Sequence, residues 1–93
     1  MKQIDNLKEL INRGDVEAAI EQLNLLLRYS SVEKEKETLY YLRGNAYRKQ
    51  GNWKQALDNY QYAIDINPDS PALQARKMVI DILNFYHKDM FNQ

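Results

Sequence analysis

Apolar residues recur at helical spacing in five stretches of the chain, and glycine or proline separates most of them. Ile4, Leu7, Leu10 and Ile11 make a short amphipathic pattern over residues 2–13. Val16, Ala19, Ile20, Leu23, Leu26 and Leu27 follow at i, i+3, i+4, i+7, i+10 and i+11, one face of a second helix. Tyr40, Gly44 and Tyr47 share a face of a third, and Trp53, Ala56, Leu57, Tyr60, Ala63 and Ile64 one face of a fourth. Pro68 lacks a backbone N–H and stops that helix. Asp69-Ser70-Pro71 then restarts the chain, with a serine cap before a proline at the first helical position. The run ALQARKMVIDILNFYHKDM has no glycine or proline and predicts one helix of about 20 residues.

The second and fourth patterns are the same pattern. Adding 37 to each of the six positions from Val16 to Leu27 gives the six from Trp53 to Ile64, an internal repeat. Gly14-Asp15 and Gly51-Asn52 occupy matching turns, where glycine ends one helix in a left-handed conformation and Asp or Asn caps the next. The copies differ in bulk. Gly44 and Ala63 let backbones approach, whereas the first copy has Leu7 and Leu26 there, so its helices are expected to pack less closely. Between Leu27 and Leu39, Ser30 and Glu33 form an S-x-x-E capping box that predicts the next helix start. A charged extra turn, Glu33 to Glu37, then precedes the aromatic face.

Leu39 to Pro68 resembles a tetratricopeptide repeat, a helix–turn–helix unit of 34 residues. With Glu37 as its first position, the signature positions fall on Tyr40, Gly44, Tyr47, Ala56, Tyr60, Ala63 and Pro68. Arg43 departs from it, standing where leucine or a similar residue is usual. The resemblance implies an all-α fold: two antiparallel helix pairs and a long capping helix in a short right-handed superhelix. It divides one domain into a degenerate repeat (1–31), a well-matched repeat (32–69) and a capping helix with tail (70–93).

It also implies a non-catalytic module that binds a protein or peptide along a groove lined by the first helix of each pair. By register the groove positions are Ile4, Asp5, Lys8 and Asn12, then Thr38, Tyr41, Leu42, Asn45, Arg48 and Lys49, then Ala72, Ala75, Arg76 and Val79. Lys8, Tyr41, Asn45, Arg48 and Arg76 are the candidate partner-binding set. Asn45 can bond a peptide backbone, Tyr41 offers an aromatic wall, and the three cations suit a carboxylate. Some members hold a C-terminal carboxylate with two lysines, two asparagines and an arginine. Asn45 and Arg76 fit that picture, but Tyr41 stands where a clamp lysine would be, so a chaperone-tail clamp is not expected.

Composition narrows the chemistry. Thirteen basic and thirteen acidic residues cancel, which argues against nucleic acid or an anionic membrane as a general partner. The chain has no cysteine, so it offers no disulfide, thiolate zinc site or cysteine nucleophile. His87 is the sole histidine, expected on the surface, and one histidine makes no His–His metal pair. No glycine-rich phosphate loop is present, and the carboxylates sit among lysines at surface spacing. No enzyme, cofactor or metal site is expected. Nor does the sequence show a signal peptide or a run of the roughly 20 apolar residues a membrane span needs, which reads as cytoplasmic. Tyr40, Tyr47, Tyr60 and Trp53 are expected in the core rather than on a base-stacking platform.

The last helix supports a second reading. Ala72, Ala75, Val79, Ile82 and Tyr86 make one seam, while Met78, Ile80, Leu83, Phe85, Met90 and Phe91 spread over other faces. A helix apolar on most sides expects burial on most sides. The alternative function is therefore a self-assembling homodimer through the C-terminal helix.

Overall fold

In a computed structural model, which describes residues 2–91, five α-helices follow one another: α1 (Lys2–Asn12), α2 (Val16–Tyr29), α3 (Glu33–Lys49), α4 (Trp53–Ile66) and α5 (Ala72–Phe91). The side chains of residues 87–91 lie outside the described ones, and with them the expectations for His87, Met90 and Phe91.

The turns after α1 and α3 are copies, bond for bond. Gly14 and Gly51 have φ of 93° and 80°, a conformation that costs glycine little. The Asp15 N–H donates to the Leu10 carbonyl at 2.9 Å, and the Asn52 N–H to that of Tyr47 at 2.9 Å. Gly14 and Gly51 donate to Ile11 and Arg48 at 3.1 and 2.9 Å. These paired bonds satisfy the carbonyls that a helix end leaves open. The caps that follow differ. Asn52 Oδ1 accepts the Gln55 N–H at 3.3 Å, whereas Asp15 makes no cap bond and accepts Arg13 Nε at 2.6 Å instead.

The capping box expected at Ser30 is not formed. Val32 precedes α3 without a side-chain cap bond, and Ser30 closes α2, donating its N–H to the Leu26 carbonyl at 2.9 Å. Two more residues of extended chain therefore separate Ser30 from α3, and its hydroxyl reaches Glu35 Oε2 at 3.2 Å. At the start of α5 the serine behaves as expected. Ser70 is buried, and its Oγ accepts the Ala72 N–H at 3.1 Å.

Two apolar clusters form the core. Leu7, Ile11, Val16, Ala19, Leu23, Leu39, Leu42 and Ala46 make the first, inside α1, α2 and α3. Ala56, Tyr60, Ala63, Ala72 and Val79 make the second, with Tyr40, Tyr47 and Trp53 packed against it half-buried. Tyr41 touches both. The α3–α4 interface is the most extensive, and its closeness depends on Gly44. A methyl group added there would lie 2.5 Å from Tyr60 Cε1, inside any van der Waals distance. At the positions 37 residues earlier, Leu7 and Leu23 are both fully buried. One pair sets two medium side chains together, the other none against a large ring, and the α1–α2 interface is the less extensive, as expected.

The seam expected on α5 is corrected. Ala72 and Val79 are fully buried, and Ala75 and Leu83 pack with them. Tyr86 is 60% exposed and Ile82 is not in the cluster. Nor is α5 buried on most sides, since Leu73, Met78 and Phe85 are exposed. Length explains this in part. The 14 residues of α4 run about 21 Å and the 20 of α5 about 30 Å, so the end of α5 outruns its support.

Candidate interaction groove between α1 and α3

The matched turns bring the same sides of α1 and α3 to one surface. Between them lies a cavity of about 300 Å³ lined by Lys8, Ile11, Asn12, Tyr41, Leu42, Asn45, Arg48 and Lys49. Four of the five residues singled out in the sequence therefore meet: Lys8, Tyr41, Asn45 and Arg48. Leu42 forms its buried floor. Asp5, Ile4 and Thr38 are not among the lining residues.

Arg76 does not join them. The inward residues of α3 are Leu39, Leu42 and Ala46, and those of α5 are Ala72, Ala75 and Val79, an offset of 33 rather than 34. One residue is about 100° of helix rotation. Arg76 consequently takes the place of Arg43, while Gln74, Met78 and Asp81 take those of Tyr41, Asn45 and Arg48. Ala72 and Val79, expected in the groove, are core.

Lys8, Arg48 and Lys49 give the cavity three cations, and no lining residue is acidic. Lys49 Nζ donates to the Asn12 carbonyl at 3.1 Å, tying α3 to the C-terminal end of α1, where helix carbonyls lack partners. Asn45 Oδ1 accepts the Tyr60 hydroxyl at 2.6 Å, which leaves its amide NH2 as the donor toward the cavity. Tyr41 is half-buried, its ring centroid 6.2 Å from that of Tyr60, so it is partly core as well as wall.

Burial pushes the Tyr60 hydroxyl up to about 12, against the charge of Arg48, which pulls it down. A tyrosine whose folded value is raised holds its proton in the folded state after the unfolded chain has lost it. Its contribution is full below pH 10 and is lost as pH rises toward 12. The loss amounts to about 2–3 kcal/mol. Thermal melts across that window are expected to fall more steeply for the native chain than for Tyr60→Phe. Parallel curves would show that the buried hydroxyl does not control alkaline unfolding.

One polar cluster escaped the sequence reading. Arg43 Nε donates to Asn59 Oδ1 at 2.7 Å, and its Nη1 to Asn24 Oδ1 at 2.9 Å, so α3 is tied to both α2 and α4. The guanidinium also lies 5.5 Å from the Tyr40 ring centroid. Asn59 is 1% exposed, and its Nδ2 donates to the Gln55 carbonyl at 2.8 Å. The available signal was a coincidence of exceptions: an arginine at an apolar signature position and an asparagine beside Tyr60.

The tetratricopeptide repeat family profile matches residues 38–70. The solution NMR structure of Bacteroides fragilis protein BF1650 is 61% identical to this chain and superposes with a TM-score of 0.85, covering 100% of this chain and 92% of that one. No curated protein matches. Fold and likeness define the class, an all-α protein of stacked helix pairs. Within that class the chain belongs to the tetratricopeptide repeat proteins, whose repeats generally mediate protein–protein interaction. Among the described residues no helix is long and apolar enough to cross a membrane, and no group of His, Cys, Asp and Glu could hold a metal ion.

Proposed function

We propose that the chain is a non-catalytic interaction module that binds an acidic peptide segment of a protein partner in the groove between α1 and α3. The observation that carries this reading is the lining of the cavity: three cations, two asparagines and an aromatic wall, with no carboxylate. Lys8 and Arg48 would meet a side-chain or terminal carboxylate, and the Asn45 amide would donate to a peptide carbonyl. Residues 1–31 and 32–69 each supply one wall. The capping segment, 70–93, would close the second core cluster through Ala72, Ala75, Val79 and Leu83.

Fluorescence anisotropy with a labelled peptide of alternating acidic and apolar residues tests this, with a basic counterpart as control. Lys8→Glu and Arg48→Glu are each expected to weaken binding about tenfold or more, the scale of one charge-assisted bond. Lys54→Glu, on α4 and away from the groove, is expected to leave binding unchanged. Equal binding of acidic and basic peptides, or equal losses from all three variants, would remove the groove from consideration.

A further inference from the structure

The outward side of α5 carries a row at four-residue spacing: Leu73, Lys77, Asp81 and Phe85. All four are exposed, Leu73 at 53% and Phe85 at 64%. With 100° per residue, the row is centred about 180° round the helix from the seam of Ala72, Ala75, Val79 and Leu83. It therefore points directly away from α4, the helix on which α5 packs. Neither Lys77 nor Asp81 forms an ion pair among the described residues, although they are one turn apart. Phe85 is braced by Tyr86, their ring centroids 5.9 Å apart and the planes at 76°.

The row is its own complement when reversed. About a twofold axis through the level of Val79, Leu73 of one copy meets Phe85 of the other, and Lys77 meets Asp81. Each contact occurs twice, so the ends are apolar and the middle holds two opposite-charge pairs. Rows of this spacing are the ridges that interdigitate when helices cross at about −50°. We infer that α5 pairs with α5 of a second copy, antiparallel, through Leu73, Lys77, Asp81 and Phe85. A two-helix contact is at the small end of specific interfaces, so the dimer is a weak, reversible one. Its surface is separate from the α1–α3 groove, and either can fail without the other.

Sedimentation equilibrium of the full chain, from about 10 µM to about 1 mM, tests the pairing. The native mass is expected to climb from 11.0 kDa toward twice that value. Lys77→Glu places two acids opposite each other twice over, and Asp81→Lys does the same with two cations. Each variant alone is expected to remain monomeric across the range, with a helical circular dichroism spectrum like the native one. An equimolar mixture restores both opposite-charge pairs and is expected to dimerise as the native chain does. A native chain that stays at 11.0 kDa, single variants that dimerise normally, or a mixture that stays monomeric would each overturn the inference.

Discussion

Replacing Gly44 by leucine is expected to cost more than about 3 kcal/mol and to lower the melting temperature by more than roughly 12 °C. The cause is Tyr60. Its ring is fully buried, its hydroxyl is held by Asn45 at 2.6 Å, and its edge already fills the space above the glycine. Gly44→Ala gives a sharper test of sign. Helix propensity alone favours alanine by about 1 kcal/mol. A Cβ atom 2.5 Å from a ring that cannot swing away outweighs that gain, so the net effect is expected to be a loss. The Gly44→Leu/Tyr60→Leu double variant recreates the Leu7 and Leu23 arrangement of the first helix pair. It is expected to be more stable than the sum of the two single losses by at least about 1 kcal/mol. Additive losses in urea melts would mean that the two positions do not share one space.

Restoring the usual leucine at Arg43 is expected to destabilise the protein by about 1–3 kcal/mol, although it moves the sequence toward the family pattern. Removing the guanidinium strands Asn59 Oδ1 in a site that is 1% exposed and releases Asn24 on the neighbouring helix pair. A buried acceptor without a partner loses its hydration with nothing in return. Arg43→Leu/Asn59→Leu removes both halves of the contact and is expected to recover much of the loss, since matched apolar replacement of both partners is nearly neutral. Chemical denaturation of the three variants decides it. An Arg43→Leu chain as stable as the native one would show that the bridge contributes nothing.

The positions legible in advance were those fixed by neighbours close in sequence. Gly14 and Gly51 announced the same turn because φ near 90° excludes most other residues, and Ser70-Pro71 announced α5 because cap and first turn are adjacent. The heptad-like spacing of Val16–Leu27 and Trp53–Ile64 placed α2 and α4 and their buried faces. Lys8, Tyr41, Asn45 and Arg48 line one cavity because α1 and α3 are held by matching turns at one offset.

What sequence could not decide depended on angles and on competition across space. Arg76 and the α5 seam were misplaced because the interface with α4 sets the rotation of α5, and a shift of one residue turns every side chain by about 100°. Ser30 has the right spacing for a capping box, but its N–H was already engaged in closing α2. Asn45 has an amide that can bond a peptide backbone, but Tyr60, fifteen residues later, occupies its oxygen and leaves only the NH2 for that role. Five helices, their turns and their apolar faces can be read along the chain, since these rest on backbone preferences and short-range periodicity. The depth of the Gly44 contact, the Arg43 bridge and the side of α5 left open come from packing between helices. Each of these is settled where two or more helices meet, and no single helix carries that information.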